Sequence, residues 1–253
     1  MVQTFRKMFN YLIRIEYDGS KFVGWQYQKN GTSVQEKIEK AIRKIIRKKV
    51  RIIGAGRTDK GVHALNQCAS FQLDKKIIDL KKFIESINFF LNKDFISILE
   101  IKKKGVNFHA RFSAKERVYE YFIINRPGPL SIDRGKAWHI KRKLDLNLLE
   151  KGAKILEGKH DFSTFRASSC TSNSPFKKLN SVKVKKKGDK ISIEFKSKSF
   201  LQNQVRSMVG CLNYLSSKKW SLNLFKEVFK SKKRARCAPP APACGLYLKK
   251  IIY

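Results

Sequence analysis

The stretch that decides the fold is Val50-Arg51-Ile52-Ile53-Gly54-Ala55-Gly56-Arg57-Thr58-Asp59-Lys60-Gly61-Val62-His63-Ala64. Its apolar start predicts one strand over Val50–Ala55, and the alternating residues beyond it predict a second over Gln67–Leu73. The glycines between the two strands predict a tight turn. A turn between strands is a rigid place from which to present a side chain. Because Asp59 stands there between basic residues, the turn is a candidate site for one carboxylate that acts on a polyanion.

The same carboxylate has a purely structural interpretation. Asp side chains in turns accept backbone N–H groups, and Asp59 would then only stabilise the turn. The turn by itself does not decide between the two interpretations, so the rest of the chain must.

The charge of the chain indicates what it binds. Lys and Arg number 56 against 20 Asp and Glu, which gives a formal net charge of +36. Residues 1–106 carry +13 of this excess and residues 107–253 carry +23. Nucleic acid is the expected partner, because phosphate neutralisation dominates that kind of binding. A membrane surface is the rival, but no basic amphipathic helix supports it, and part of the lysine excess is also consistent with compositional bias.

The cysteines and the apolar segments indicate the compartment. The five cysteines are odd in number and lack C-x-x-C spacing, which predicts reduced thiols without structural zinc. No apolar run reaches the roughly 18 residues of a membrane span. The basic N-terminus has no apolar core, which predicts no secretion signal. We therefore expect a cytoplasmic protein, and the four dispersed histidines predict no metal site.

The hydrophobic pattern predicts two similar halves. In residues 1–106, strands at Leu12–Tyr17 and Phe95–Ile101 accompany the two already named, with helices opening at the capping box Ser33-Val34-Gln35-Glu36 and at Asp79. Residues 107–253 repeat the mixture. The predicted elements there are strands at Arg117–Ile124 and Gly245–Ile252, helices at Asp145–Leu156 and Leu201–Leu215, and a hairpin made of Val182–Lys187 and Lys190–Lys196. This order predicts an α+β fold with helices covering one face of a sheet.

Several further segments are candidates for RNA contact. Phe108-His109-Ala110-Arg111-Phe112 interleaves rings with cations, as is typical of segments that stack on bases and hold phosphates, although buried strand-edge rings would give the same pattern. Tyr119 and Tyr121 share one face of a predicted strand, where tyrosines usually belong to the core, but one of them could support a planar base. Arg206 lies in an apolar helical register and would need a partner, for which a carboxylate such as Asp59 would serve.

Taken together, these segments resemble the TruA family of tRNA pseudouridine synthases. The segments that carry the resemblance run in the family's order over essentially the whole chain. They are Glu16-Tyr17-Asp18-Gly19-Ser20, Gly24-Trp25-Gln26, Ser33-Val34-Gln35-Glu36, Gly56-Arg57-Thr58-Asp59 with Gly61-Val62-His63, Phe108 to Ala114, Tyr119-Glu120-Tyr121, Asp161-Phe162, Phe165-Arg166-Ala167, Val205-Arg206 and Gly245-Leu246-Tyr247-Leu248.

The resemblance implies a role for each matching residue. Asp59 would be the catalytic aspartate, and Arg57 would flip the target nucleotide and pair with that aspartate. Tyr119 would stack on the uracil, with Leu246 as an apolar residue against the base and Arg206 as a basic residue near the aspartate. Two segments would contact RNA. Their residues are Phe108, His109, Ala110, Arg111 and Phe112 in the first and Ser169, Cys170, Thr171, Ser172 and Asn173 in the second.

The resemblance also implies an architecture and a reaction. It implies two ferredoxin-like halves, residues 1–106 and 107–253, fused into one continuous and mostly antiparallel sheet with the active cleft between them. It implies a homodimer that isomerises uridine at positions 38–40 of the tRNA anticodon arm, without a metal or an organic cofactor. The alternative class is a non-catalytic tRNA-binding protein or chaperone with the same fold, against which the intact set of Arg57, Asp59 and Tyr119 argues.

The chain departs from the family pattern at two positions. Lys60 stands where a small residue is common, which adds a cation beside Asp59. Gln204 stands where methionine is frequent, which affects the packing of the helix that carries Arg206.

Overall fold

A computed structural model describes residues 8–253. The chain divides into two compact units, one made of the residues up to Lys115 together with Leu248–Tyr253, and the other of Glu116–Tyr247. The described residues form ten strands, mostly antiparallel, and five α-helices. The predicted α+β class is therefore confirmed, and each unit mixes strands with helices as the hydrophobic pattern predicts. No helix within residues 8–253 is long and apolar enough to cross a membrane.

The first unit is built on a small antiparallel sheet with two helices. Its elements are β1 (Phe9–Tyr17), α1 (Val34–Ile46), β2 (Ile53–Gly54), β3 (His63–Leu73), α2 (Leu80–Leu91) and β4 (Ile96–Lys104). Strand β1 lies between β3 and β4 and is antiparallel to both, while the short β2 pairs with β3. The turn between β2 and β3 therefore starts and ends on strands that are hydrogen-bonded within this sheet.

The two helices of this unit begin where the sequence predicts. The Ser33 hydroxyl accepts the Glu36 backbone N–H at 3.2 Å, which confirms the predicted cap. The Asp79 carboxylate accepts the Lys82 N–H at 2.9 Å in the same way. Apolar side chains from helices and strands then meet in one fully buried core, whose members include Ile13, Ile15, Ile38, Ile42 and Ile87.

The second unit contains the remaining elements. They are β5 (Glu116–Asn125), β6 (Trp138–Ile140), α3 (Leu146–Leu156), β7 (Gly158–Asp161), β8 (Phe176–Lys187), β9 (Lys190–Ser197), α4 (Gln204–Ser216) and α5 (Leu222–Lys230). The strand order is β5-β9-β8-β7 with antiparallel neighbours, and β6 runs parallel to β5. Strand β10 (Leu246–Ile252) begins in this unit, and from Leu248 onward its residues belong to the first.

Helix α4 forms the centre of the second unit's core. Its side chains Met208, Leu212 and Leu215 are fully buried, as are Ile193 and Phe195 of β9. The predicted hairpin of β8 and β9 is confirmed, with Lys187 opposite Lys190 across the turn. Tyr121 of β5 is also fully buried, so the core includes both α4, which carries Arg206, and β5, which carries Tyr119.

Several predicted elements differ in extent from those observed, and for two of them the structure shows the reason. The strand predicted over Val50–Ala55 is only Ile53–Gly54, because side chains of α1 take the place of a partner strand. The Glu39 carboxylate accepts the Ile52 N–H at 2.9 Å, and the Gln35 amide donates to the Ile52 carbonyl at 3.3 Å. The helix predicted from Leu201 begins at Gln204, since Asn203 takes a left-handed conformation (φ 60°) that ends any helix before it.

Three elements were not predicted. Strands β6 and β7 have only three and four residues, too short for an alternating pattern. Helix α5 did carry a signal, because Ser221 caps it and Phe225, Val228 and Phe229 are its buried face. Its nine residues lie between lysine-rich segments, which make the apolar pattern of the helix hard to recognise in the sequence.

Candidate active site

Asp59 lies in the turn between β2 and β3, and a backbone hydrogen bond closes this turn. The Val62 N–H donates to the Asp59 carbonyl at 3.1 Å, and Gly61 between them adopts φ 76°. A residue with a side chain is strained at such a φ, so glycine allows the tight turn. Asp59 itself is half-buried, while Arg57 is exposed. The Asp59 carboxylate therefore extends from a fixed backbone and is partly accessible at the protein surface.

The residue before Asp59 is held by two hydrogen bonds. The buried hydroxyls of Tyr17 and Thr58 lie 2.8 Å apart, and the Trp25 N–H donates to the Thr58 carbonyl at 3.1 Å. Thr58 is thereby bonded through both its side chain and its backbone to two other segments of the unit. This restricts the direction in which Asp59 can point.

Two glycines from the matching segments support the same turn. A Cβ at Gly19 would lie 2.0 Å from the Val62 carbonyl oxygen, and one at Gly24 would lie 2.7 Å from the Thr58 carbonyl oxygen. Both distances are shorter than any side chain tolerates, so only glycine allows these backbones to approach. The segments Asp18-Gly19-Ser20 and Gly24-Trp25-Gln26 therefore form the wall behind the turn, and Trp25 is buried in it.

The entry to the turn is fixed from β3. The fully buried Gln67 amide donates to the Gly56 carbonyl at 2.7 Å, and the Ala55 N–H donates to the Cys68 carbonyl at 2.7 Å. Buried polar groups of this kind stay paired because an unpaired one costs about 1–3 kcal/mol. The turn is thus bonded at its entry, at Thr58 and at its exit.

His63 is bonded to the wall behind the turn. The buried imidazole accepts the Gly19 N–H on Nδ1 at 3.1 Å. The Asp18 carboxylate lies 3.1 Å from the same nitrogen and accepts the Ser20 N–H at 2.9 Å.

The Tyr17→Phe substitution tests how much the hydroxyl pair stabilises the turn. We expect the free energy of unfolding to fall by about 1–3 kcal/mol, because the buried Thr58 hydroxyl loses its partner. Denaturant titration measures this, and Tyr27→Phe, at a tyrosine that is 56% exposed, is the matched control. An equal effect of both substitutions would show that the pair contributes nothing.

In the second unit, the two tyrosines of β5 have different environments. Tyr119 is 7% exposed, and its ring packs edge-on against Phe200 with centroids 5.1 Å apart. Tyr121 is fully buried, and its hydroxyl donates to the Pro242 carbonyl at 2.8 Å. Burial raises the pKa of Tyr121 far above its usual range, although the nearby Arg206 opposes the shift. Tyr121 is thus a core residue, as the structural interpretation predicts for tyrosines of such a strand.

Arg206 ties the segment before β10 to helix α4. Its Nε donates to the Ala241 carbonyl at 2.7 Å, its guanidinium also reaches the Asn203 side-chain oxygen at 3.4 Å, and its own carbonyl accepts the Ala241 N–H at 2.9 Å. The sequence suggested a carboxylate as partner, but neutral oxygens fill that place. Gly210, one turn later, has the Pro239 carbonyl oxygen 2.1 Å from the position of a Cβ, which brings the proline-rich segment close to the helix.

The position of Leu246 depends on the same packing. It is buried at the start of β10, next to Gly245, where a Cβ would lie 2.6 Å from the Tyr121 ring. The apolar position that the resemblance implies for Leu246 is therefore fixed by Tyr121 and by the segment that Arg206 holds.

The segment Phe108–Phe112 presents an exposed ring beside a cation. Phe112 is 75% exposed, the Arg111 guanidinium lies 5.6 Å from its ring centroid, and the His109 ring lies 4.4 Å away. Ala110 is buried and donates its N–H to the Ser70 hydroxyl at 3.1 Å, which anchors the segment. Phe108 packs against Tyr253 with centroids 5.0 Å apart. Phe108 is half-buried outside any strand and Phe112 faces solvent, so neither is the buried strand-edge ring of the structural interpretation.

The segment Ser169–Asn173 is organised by an arginine. Arg166 donates to the carbonyls of Cys170 and Ser172, both at 2.7 Å. Burial alone would raise the pKa of Cys170, but backbone N–H groups of Gln202 and Ser172 and the Arg166 guanidinium lower it overall. The exposed members of the segment are Ser169, Thr171 and Asn173.

The predicted site residues therefore fall into two sets. Arg57 and Asp59 lie on one turn of the first unit, and Tyr119, Arg206 and Leu246 belong to the second. Sequence reasoning did not single out Tyr17, Gln67 or Arg166, which hold these sets in place. Tyr17 and Arg166 stood inside matching segments. The Tyr17 bond to Thr58 joins residues distant in sequence, and Arg166 bonds the carbonyls of an irregular loop, so neither leaves a periodic pattern. No group of three or more metal-binding side chains is found in the part of the chain that the structure describes.

Comparisons with known proteins identify the family of the chain. A family model described as tRNA pseudouridine synthase matches residues 13–113 and 153–253. The tRNA pseudouridine synthase A of Pelagibacter ubique is 54% identical over 246 residues, 97% of this chain and 100% of that protein. The protein of the same name from Maricaulis maris is 44% identical over 243 residues, 96% of this chain and 97% of that protein. The chain therefore belongs to the tRNA pseudouridine synthase family.

Proposed function

We propose that the protein converts uridine to pseudouridine in tRNA. The observation that carries the proposal is the half-buried Asp59 on a turn whose backbone is bonded at entry, middle and exit, with Arg57 beside it. Family membership and two relatives that share the name tRNA pseudouridine synthase A support it. The non-catalytic alternative explains the charge of the chain but gives no reason for so rigid a carboxylate.

The reaction defines what the protein must supply. The bond between ribose C1′ and uracil N1 breaks, the base turns over, C1′ bonds to C5, and the proton of C5 is lost while N1 gains one. A carboxylate can act as a nucleophile or as a base in such a sequence. Asp59 is proposed for this role, by attack at C1′, by addition to the ring or by proton abstraction.

Further residues are proposed for the handling of the base. The nucleotide must leave its stack, at a cost of a few kcal/mol, and Arg57 is proposed to assist this step and to keep Asp59 ionised. Tyr119 is proposed to stack on the uracil, with Leu246 as an apolar contact. Arg206 is proposed as a basic substrate-binding residue near Asp59, and it also holds the segment that precedes Leu246.

The finer features of the function are also proposals. The target positions are 38–40 of the anticodon arm, and the two RNA-contacting segments are Phe108–Phe112 and Ser169–Asn173. Residues 1–106 supply Asp59, and residues 107–253 supply Tyr119. A cytoplasmic homodimer is the proposed working form.

One assay separates the enzyme from the chaperone. The protein is incubated with an unmodified tRNA transcript, and carbodiimide adducts are mapped by reverse transcription. We expect adducts that persist after alkaline treatment, as pseudouridine gives, at one or more of positions 38–40. Binding of the transcript without any such adduct would favour the non-catalytic alternative.

The Arg111→Ala substitution tests the RNA role of the first segment. We expect weaker tRNA binding with a smaller loss of single-turnover rate at saturation, because Arg111 would hold phosphate. The slope of log K against log salt should decrease in magnitude by about 1, as for one lost phosphate contact. An unchanged affinity at every salt concentration would contradict this role.

A further inference from the structure

One end of the second unit carries a group of exposed cations. At this end β5 finishes, the β8–β9 hairpin turns, and the chain leaves β6. The group, which we call the basic end, consists of Lys141, Arg142, Lys143, Lys187 and Lys190, all exposed. Lys187 and Lys190 stand opposite each other across the hairpin.

The half-buried side-chain amide of Asn125 connects the segments that carry these cations. The Asn125 side chain donates to the Ile140 carbonyl at 2.8 Å and to the Arg142 carbonyl at 2.7 Å, and it accepts the Leu144 N–H at 3.1 Å. Its backbone N–H donates to the Asp189 carbonyl in the hairpin turn at 2.8 Å. The Lys141–Lys143 run and the hairpin are therefore held on one residue, so the clustering is built into the fold.

The cations of the basic end are not neutralised by the protein. The acid of the hairpin turn, Asp189, lies 3.8 Å from Arg126, whose guanidinium also donates to the Gly128 and Pro129 carbonyls. Within residues 8–253, no carboxylate forms an ion pair with Lys141, Arg142, Lys143 or Lys187. Like charges held together without acids repel one another, and a bound polyanion removes that repulsion.

The side chains of the basic end suit the sugar-phosphate backbone of a nucleic-acid duplex. Single-stranded nucleic acid is bound through aromatic rings on which bases stack, as Phe112 is placed to do. No aromatic side chain of the described chain is strongly exposed at the basic end, where Phe122 is half-buried with Lys190 3.9 Å from its ring centroid. Cations without exposed rings suit the phosphates of paired RNA.

The position along β5 shows which part of an RNA could reach this surface. Tyr119 and Asn125 lie six residues apart on one strand, which is about 20 Å at ~3.3 Å per residue. That distance is roughly six nucleotides at the ~3.4 Å rise per nucleotide of one duplex strand. When a nucleotide stacks on Tyr119, the basic end therefore faces a different part of the same RNA, several nucleotides along the strand.

We propose that the basic end is a second tRNA-binding surface, which holds the phosphates of a helical stem several nucleotides from the target uridine. The proposal rests on the proposed function, because it takes tRNA as the substrate and Tyr119 as the residue on the base. Its role is affinity for the whole tRNA, not chemistry at the uridine.

The test compares two substrates and two sets of substitutions. The Lys141→Gln/Arg142→Gln/Lys143→Gln variant removes three cations of the basic end. Binding is measured over a range of salt concentrations for a full tRNA transcript and for a truncated anticodon stem-loop. We expect about 10-fold or greater weakening for the full transcript and a salt slope smaller in magnitude by about 2–3. Affinity for the truncated stem-loop and the single-turnover rate at saturation should stay as in the wild type.

The matched control removes three exposed lysines from the first unit, as Lys75→Gln/Lys81→Gln/Lys82→Gln. Equal weakening by this control, or equal loss of affinity for the truncated stem-loop, would overturn the proposal. So would unchanged tRNA affinity together with lost binding to anionic phospholipid vesicles, which would assign the surface to a membrane. Pseudouridine formation by the wild type is scored separately, so failure of the proposed function is distinguishable from failure of this surface.

Discussion

The Asp59→Asn substitution is expected to abolish pseudouridine formation while tRNA binding stays close to that of the wild type. Asn has nearly the same size as Asp and keeps the Val62 N–H bond to the residue 59 carbonyl, so the turn should persist. What is lost is a carboxylate that can attack or take a proton. We expect the single-turnover rate to fall by roughly 10⁴-fold or more, the upper end of what one positioned proton-transfer group contributes.

The measurement is a single-turnover time course on tRNA transcript with enzyme in excess, scored by carbodiimide adducts. Binding affinity and the thermal midpoint are measured in parallel to show that the variant is folded. Lys60→Ala is the companion variant, since it changes the neighbouring residue without removing the carboxylate. Turnover by Asp59→Asn within about 10-fold of the wild type would mean that another group carries the chemistry.

The Gly19→Ala substitution is expected to have the second largest effect. Its methyl group would lie 2.0 Å from the Val62 carbonyl oxygen, so one of the two backbones must move. Neither moves freely, because the Gly19 N–H is bonded to His63 and the Val62 N–H closes the Asp59 turn. Overpacking of this kind costs about 1–3 kcal/mol, which corresponds to roughly 2–12 °C in Tm for a chain of this size.

Because the displaced Val62 belongs to the turn, activity should fall further than stability predicts. We expect kcat to drop by about 10-fold or more at a temperature where the variant is fully folded. Gly105→Ala is the control, since within residues 8–253 no atom other than those of its chain neighbours lies within 4 Å of a Cβ at that glycine. A variant with wild-type kcat and Tm would contradict the wall that we describe behind the turn.

Local signals in the sequence were enough to predict most of the fold. The Ser33 cap, the apolar faces of the helices and the β8–β9 hairpin all depend on neighbouring residues, and the structure confirms them. The strand predicted over Val50–Ala55 was too long because Glu39 and Gln35, more than ten residues away, take the backbone groups of Ile52. Contacts of that kind leave no periodic pattern.

The candidate site shows the same division. Asp59 stood out because an acid in a glycine-flanked basic turn is conspicuous in so basic a chain. Tyr17 did not, because its hydroxyl bond to Thr58 joins residues that are far apart in sequence. Arg206 was recognised as a residue that needs a partner, but the partner is the Ala241 carbonyl, since a proline-rich segment folds back onto α4. The sequence therefore identifies the reactive group more readily than the groups that hold it.

The release of tritium from tRNA labelled at C5 of uridine tests the central claim most directly. Bond formation between C1′ and C5 expels the hydrogen of C5, so every pseudouridine formed releases one label into water. With the wild-type protein, we predict release that reaches a plateau set by the uridines at positions 38–40. No release above that of a protein-free control, from tRNA that the protein demonstrably binds, would contradict the assignment of this chain as a pseudouridine-forming enzyme.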